Sequence, residues 1–169
     1  RKILAIQIEA NHNGDAESFP VMDWQKADRQ DVMKCMLDSG LFAFVQQRPF
    51  AIAANPADIP RSIHISGFNS APLAPDMSIV LEGRMADFQM GVNALAKLSG
   101  EKGVHIGVRA GDEQFANVTG AQITHFEGPH PAGNVGVQIH HTDPLNKGEV
   151  LWTMHAEDVA NLGVLLTQG

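Results

Sequence analysis

The hydrophobic and polar positions of the 169-residue chain follow two different periods. Short apolar or alternating stretches predict β-strands at residues 3–9, 61–67, 104–109, 121–126 and 149–154. Apolar residues spaced three or four apart predict helices over residues 28–40, 76–99 and from 156 onward. Because strands and helices alternate along the chain, the pattern favours an α/β domain with a largely parallel sheet flanked by helices.

The predicted helices have recognisable ends. Asp28 is a candidate N-cap with Asp31 three residues later, and Gly40 supplies a stop for that helix. Asp76 can cap the long helix, whose apolar stripe is expected to be buried. Gly91 lies inside this helix, where glycine is unfavourable, so we expect a neighbour to pack closely there. The stripe consists of Leu81, Met85, Phe88, Val92, Leu95 and Leu98.

The remaining segments are interpreted as connections. Residues 15–27 are polar and irregular, which predicts a linker into the main domain. The apolar block 41–45 predicts a buried helical turn, and residues 46–50 and 69–75 predict loops. We expect the strand at 3–9 to pair outside the main sheet.

Composition excludes several classes of protein. A net charge of −7 argues against a nucleic-acid partner. A single cysteine, Cys35, excludes a disulfide framework and a cysteine-ligated iron–sulfur cluster within this chain. No apolar run approaches the ~20 residues of a membrane span. The chain opens on charged residues without a methionine, so we expect an excised piece that has no signal peptide.

Residues 128–136 are the most distinctive stretch, because they combine glycines and prolines between two apolar segments. Glycine permits close backbone approach and proline fixes φ, so the composition predicts a shaped, rigid loop. The alternative is a structural corner that connects two strands.

The histidines do not follow a zinc-site spacing, and no metal site is predicted. His64 stands alone on its strand and is interpreted as a satisfied core or edge residue. If the segment after the loop is extended, the neighbouring His140 and His141 would point to opposite faces. His130 and His140 are expected to hold the loop through hydrogen bonds of their ring nitrogens.

No complete active site is visible in the sequence. A nucleophile elbow of the form G-x-S-x-G is absent, as are both glycine-rich nucleotide fingerprints. The acidic pairs at 112–113 and 157–158 lie at an exposed turn and a helix start. No catalytic residue is therefore predicted.

Residues 128–144 read G-P-H-P-A-G-x-x-G-x-x-I-H-x-x-D-P, which resembles the A subunit of the sodium-pumping NADH:quinone oxidoreductase. The tripeptide Arg48-Pro49-Phe50 looks like a signature of the same subunit. That subunit is a distant relative of the NADH- and flavin-binding subunit of respiratory complex I. Three landmarks resemble this relative in the same order along the chain: Ser39-Gly40-Leu41, Leu81-Glu82-Gly83 and Pro129-His130-Pro131-Ala132.

Two departures from the complex I relative concern its cofactor site. Its glycine-rich flavin cradle is replaced by bulky residues over 42–50, and its acidic stretch is replaced by residues 69–72 without carboxylates. The resemblance therefore implies a Rossmann-like domain at 21–169 that has lost its flavin site. It also implies that residues 1–20 are the remnant of an N-terminal carrier-like, barrel-sandwich domain and a linker.

The resemblance also implies a function. In the family this subunit is a cytoplasm-facing part of a complex at the bacterial inner membrane that couples NADH oxidation and ubiquinone reduction to sodium export. It is peripheral, and its partners are the other subunits. No tightly bound cofactor is expected here, although quinone is implied as a ligand in the full complex. Docking or binding candidates, expected together near the carboxyl ends of the strands, are Arg48, Pro49, Phe50, Gly128, His130, Pro131, Gly133 and His140.

Two other functions stay open on the sequence. One is an electron-transfer domain that binds FMN or NADH, as in complex I or an Rnf-type flavoprotein. The other is an independent small-molecule enzyme whose site the motifs do not reveal.

Overall fold

Six strands form one sheet in the computed structural model, which describes Ile3, residues 5–9, Gly14 and residues 17–169. Strands β3 to β6 are parallel, as predicted, and β1 runs antiparallel between β2 and β6. The strands are β1 (Gln46–Arg48), β2 (Ile52–Ala53), β3 (Ile63–Ser66), β4 (Val104–Arg109), β5 (Ala121–Phe126) and β6 (Leu151–His155). Their order across the sheet is β2-β1-β6-β3-β4-β5.

Helices flank this sheet, so the architecture is α/β. None of the helices within the described residues is long and apolar enough to cross a lipid bilayer. The helices are α1 (Arg29–Asp38), α2 (Met77–Val80), α3 (Met85–Leu98), α4 (Val135–Thr142) and α5 (Ala156–Gln168), with a 3₁₀ helix at Leu41–Phe44.

The strand order reverses between β3 and β6. The chain builds the sheet outward from β3 through β4 to β5, then returns to add β6 on the other side of β3. In open α/β sheets, a crevice forms outside the carboxyl ends of the strands at such a reversal. The carboxyl ends of β3 and β6 therefore mark the first place to look for a site.

The two faces of the sheet differ in chemistry. We call the face that carries Ile65, Ile106 and Met154 the apolar face, because these side chains belong to the main core with residues of α1, α3 and α5. We call the opposite face the polar face. It carries the buried polar residues Ser62, His64, Ser66, His105 and Thr153.

Helix α4 packs on the polar face, against β3. Its buried Ile139 lies outside the main core cluster, as does the buried strand residue Leu151. The sheet therefore has one thick apolar layer and one thin, largely polar layer.

Two glycines let α3 and α5 approach closely on the apolar side. A Cβ atom at Gly91 would overlap the backbone carbonyl of Val159, and one at Gly163 would overlap that of Asp87. The close approach predicted from Gly91 is confirmed.

The first predicted helix is also confirmed. Asp28 caps α1 through the backbone N–H groups of Gln30 and Asp31, and the Asp31 side chain accepts a hydrogen bond from the Asp28 N–H. Gly40 follows the helix with a φ of 79°. The predicted turn after it is the 3₁₀ helix at Leu41–Phe44, of which Phe42 is buried.

The prediction of one helix over 76–99 is wrong. Asp76 does cap a helix, but that helix is the short α2, and α3 begins only at Met85. Gly83 lies between them with a φ of 71°, which is outside the helical region. Because the interruption keeps the apolar stripe facing inward, Phe88 and Leu95 are still buried, as predicted.

One further local prediction is wrong. Residues 46–50 are not a simple loop, because β1 pairs with both β6 and β2 and thereby satisfies the backbone of a polar strand. The segment after residue 134 is helical, so the condition under which His140 and His141 would point to opposite faces of an extended segment is not met. Asn134 caps α4 by accepting a hydrogen bond from the Gly136 N–H at 2.9 Å.

The strand predicted over residues 3–9 is not found in its described part. Residues 3 and 5–9 carry no strand, and Ile3, Ile6 and Ile8 are 79%, 76% and 84% exposed. A strand needs a neighbour for its backbone hydrogen bonds, and these residues pair with none of the described strands. The rest of that prediction lies outside the described residues.

Candidate functional site

The loop at residues 128–136 lies at the carboxyl ends of the parallel strands. It follows β5 directly and contacts Ser70, which lies in the loop after β3. The Gly133 N–H donates to Ser70 Oγ at 2.8 Å, and His130 Nδ1 lies 3.1 Å from the same oxygen. From α4, Gln138 Nε2 donates to the Ala132 carbonyl of the loop at 3.3 Å. Two loops are therefore joined by hydrogen bonds at this end of the sheet.

Gly133 is required by this packing. It is buried, and a Cβ atom there would overlap the backbone of Asn69 and Ser70. By contrast, Gly128 has a φ of 132° and an open environment, so its role is conformational. His130 and Pro131 are exposed and are joined by a cis peptide bond.

Arg48 reaches this region through its side chain. Its Nε atom lies 3.5 Å from Thr153 Oγ1, and its guanidinium lies close to Gly136 in the first turn of α4. Pro49 and Phe50 form the turn between β1 and β2, and the Arg48–Pro49 peptide bond is also cis.

That turn does not lie beside the loop at residues 128–136. Arg48 pairs with Leu151, the first residue of β6, so the chain continues past the amino end of that strand. The structure brings Arg48 to the start of α4 but places Pro49 and Phe50 toward the opposite end of the sheet.

His140 lies away from the loop that it was expected to hold. It is exposed on α4, and its ring packs edge-on against His141 with centroids 5.5 Å apart. Only His130 of the two candidate histidines contacts the loop partner Ser70.

A buried charged cluster holds the other end of α4. Asp143, directly after the helix, accepts from Arg61 at 2.7 Å, from Lys102 at 2.8 Å and from the Ser62 hydroxyl at 2.8 Å. Arg61 also pairs with Glu149 and donates to the Asp143 carbonyl at 3.0 Å. Burial raises the pKa of Asp143, but hydrogen bonds from Lys102, Ser62 and Arg61 outweigh burial and hold it below its usual value.

Two histidines stack beside this cluster. The rings of His64 and His105 are 4.6 Å apart and nearly parallel, and His64 Nε2 lies 3.5 Å from Asp143 Oδ2. His105 Nε2 lies 3.0 Å from the Lys102 carbonyl, while its buried Nδ1 has no hydrogen-bond partner in the described part of the chain. Burial, reinforced by His105, lowers the pKa of His64 to about 4. The prediction that His64 is a core residue is confirmed, but it does not stand alone.

This cluster fits a metal ion poorly, although ligand atoms of His64, His105 and Asp143 lie within 4.8 Å of one another. The lone pair of an imidazole nitrogen lies in the ring plane, so two stacked parallel rings cannot both aim at one ion. Asp143 is also already neutralised by Arg61 and Lys102. The cluster is suited to holding α4 on the sheet.

The residues at the strand ends also fit a flavin or nicotinamide poorly. Dinucleotide sites need glycines where the first strand meets its helix, so that the backbone can approach the phosphates. Here Gly67 is followed by Phe68, and the backbone at Asn69 and Ser70 is covered by Gly133. Phe42, in the stretch that replaces the relative's glycine-rich cradle, packs edge-on against Trp152 in the apolar core, with ring centroids 5.5 Å apart.

The sequence reasoning missed four contributors to these contacts. The motif gave no role to Ser70, Lys102, His105 or Asp143. A usable signal existed for the histidines, because His64 and His105 interrupt two otherwise apolar strands. No local signal marks Ser70 or Lys102, whose partners are 63 and 41 residues away.

Comparison with known proteins agrees with the resemblance. Residues 27–169 match the family described as "NqrA second alpha/beta domain". The chain is 33% identical over its full length to the A subunit of the Na(+)-translocating NADH-quinone reductase of Serratia proteamaculans (strain 568), and it spans 39% of that protein.

Two other relatives carry the same name. The protein of Saccharophagus degradans is 30% identical over 98% of this chain, and that of Yersinia pseudotuberculosis serotype O:1b is 31% identical over 98%. In both cases the chain spans 37% of the relative. The chain therefore belongs to the family of the second α/β domain of NqrA.

Proposed function

We propose that this chain is the docking domain of the NqrA subunit in a membrane-bound, sodium-translocating NADH:quinone reductase, and that it has no complete active site of its own. Its partners are the other subunits of that complex, at the cytoplasmic face of the bacterial inner membrane. NADH oxidation, quinone reduction and sodium export are properties of the whole assembly. Residues 1–20 then belong to a carrier-like domain that precedes a Rossmann-like domain over 21–169.

One observation carries the proposal: the loops at the carboxyl ends of the strands are joined to each other, since the Gly133 N–H donates to Ser70 Oγ at 2.8 Å. An α/β scaffold whose strand-end loops are joined in this way is suited to contacting proteins rather than to binding a nucleotide.

Titration calorimetry tests the absence of a nucleotide site. The purified protein, titrated with FMN and separately with NADH, should show no heat of binding at micromolar ligand. Micromolar or tighter binding of either ligand, or a yellow protein after purification, would favour the electron-transfer alternative instead.

Quinone is a separate question, because a quinone needs an apolar slot rather than a phosphate cradle. We propose that quinone reaches this region only in the full complex. A photoreactive quinone analogue should label this domain within the assembled enzyme and should not label the purified domain. Equal labelling of both would place a complete quinone site within these residues.

A further inference from the structure

Arg48 differs from the other arginines of the described chain in what its guanidinium contacts. Arg61 and Arg109 pair with carboxylates, Arg84 donates to the Asn161 carboxamide at 2.7 Å, and Arg29 donates to two backbone carbonyls. Among the described residues, the Arg48 side chain has one hydrogen-bond partner, the Thr153 hydroxyl at 3.5 Å, which is the outer limit of a hydrogen bond. Within the described residues it forms no ion pair.

The surroundings of Arg48 do not compensate for its charge. The side chain is half-buried, and burial lowers its pKa, although a guanidinium remains protonated at neutral pH. Its guanidinium also lies close to Gly136 in the first turn of α4, where the helix dipole is positive. Among the described residues, this partly desolvated cation beside a positive helix end has no negative group to stabilise it.

The same hairpin presents apolar side chains to solvent. Phe50 is 79% exposed and Ile52 is 53% exposed, and Phe44, just before β1, is 52% exposed. β2 is an edge strand, so one side of its backbone is unpaired. Arginine combined with aromatic residues is the composition typical of the energetic centre of protein interfaces.

From these observations we propose that Arg48 binds an aspartate or glutamate side chain of a neighbouring polypeptide segment that covers the β1–β2 hairpin in the assembled enzyme. This inference rests on the docking function proposed above and names the chemistry of the partner. A protein segment suits the hairpin better than a free anion, because it can cover Phe44 and Phe50 while its carboxylate neutralises Arg48. Ile52 is opposite Gln47 in the pairing of β1 with β2, so it lies on the other face of the sheet from Arg48.

Photocrosslinking in the intact complex tests the contact. A p-benzoylphenylalanine at position 50 should crosslink to one discrete peptide that contains an aspartate or glutamate. In Arg48→Gln the yield should fall by about tenfold or more, because one partner of a desolvated charge pair is lost. Arg84→Gln is the matched control, since its partner is a neutral carboxamide, and its yield should not change.

Charge reversal separates recognition from folding. Arg48→Glu should abolish the crosslink, and changing the identified acidic residue to arginine should restore it, which a simple folding defect cannot do. A crosslinked peptide without an acidic residue, an unchanged yield in Arg48→Gln, or failure of the reversal would overturn the proposal.

Inorganic phosphate tests the competing source of negative charge. If millimolar phosphate raises the thermal midpoint of the wild-type protein but not that of Arg48→Gln, Arg48 is part of a free-anion site and the proposal is wrong. We expect no difference between the two responses. The calorimetric test with FMN and NADH is independent of both results, so the docking function can fail while the Arg48 contact survives, or the reverse.

Discussion

The two faces of the sheet are held to their helices by different kinds of interaction. The apolar face is covered by α1, α3 and α5, with large side chains such as Phe88 and Trp152 fully buried. The polar face is covered by the eight-residue α4, which is held at one end by the Asp143 cluster and at the other by contacts with loops. The stability of the fold therefore comes mainly from the apolar face. The second face depends on a few specific polar contacts, and it carries the candidate loop.

The largest effect should come from truncating the apolar core. Phe88→Ala should lower the free energy of unfolding by about 4 kcal/mol, because it removes a fully buried ring that packs edge-on against Phe115. Ile139→Ala on α4 should cost only about 2 kcal/mol, since the thin layer around it can relax. Urea unfolding of both variants measures the difference. Equal costs would mean that both faces are packed alike.

The Asp143 cluster should come next. Asp143→Asn should cost about 3 kcal/mol, because Arg61 and Lys102 lose a shared carboxylate and Arg61 is largely buried. Asp38→Asn, which removes an exposed ion pair with Lys34, is the control and should not change stability measurably. If Asp143→Asn unfolds at the same urea concentration as the wild type, the cluster does not hold α4.

The histidine stack predicts a pH dependence. The pKa of His64 is about 4 in the folded protein and about 6.5 in the unfolded chain, so the unfolded chain binds the extra proton as pH falls between these values. The contribution of neutral His64 to the free energy of unfolding is complete above pH 6.5. It should decrease by about 2 kcal/mol between pH 6.5 and pH 5. The groups that face this ring are His105, Asp143 and Arg61.

Unfolding measured at pH 7.0, 6.0 and 5.0 tests this dependence. His64→Gln should flatten it, because glutamine does not titrate. The stability that Asp143 contributes should be lost only at lower pH: the loss begins near the ordinary carboxyl pKa, where the unfolded chain takes up the proton, and continues downward because the folded-state pKa of Asp143 is depressed. An identical slope in the variant and the wild type would assign the pH dependence to other groups.

The smallest effect concerns the candidate loop. Ser70→Ala removes the acceptor of the Gly133 N–H and the contact with His130, and should cost about 1 kcal/mol. If the loop is a docking element, Ser70→Ala should reduce the rate of quinone reduction by the reconstituted complex by more than the small loss of stability accounts for. Full activity at a reduced thermal midpoint would make the loop a structural corner.

Gly133→Val is a less selective test of the same idea. If the loop is a docking element, this variant should damage assembly more than folding, but a side chain at Gly133 would also displace the backbone of Asn69 and Ser70. Thermal stability and complex activity must therefore be measured together for this variant.

The apolar face could be predicted because its chemistry is periodic. The spacing of Phe88, Val92 and Leu95 and the runs of strands β3 and β4 determine which residues are buried, whatever the tertiary neighbours are. The break between α2 and α3 at Gly83 was not predicted, because the apolar spacing continues across it.

The polar face could not be predicted in the same way. Asp143 meets Ser62 across a sequence separation of 81, and Ser70 meets Gly133 across 63, so no local pattern records either contact. The motif at residues 128–144 indicated the family, and the comparison with known proteins confirmed that indication. The roles of the eight candidate residues and the domain boundary near residue 20 stay predictions.

The position of β6 has a consequence for synthesis on the ribosome. β3 lies between β4 and β6, and its partner Trp152 is made long after Ile63. Until residues 151–155 leave the exit tunnel, β3 has one open edge, and α5 is not yet available to cover the apolar face. Strands so distant in sequence pair slowly, and the incomplete chain exposes apolar surface until they do. A truncated or stalled chain that ends before residue 151 should therefore be a client of chaperones, whereas release of β6 and α5 completes the sheet and its apolar layer in one step.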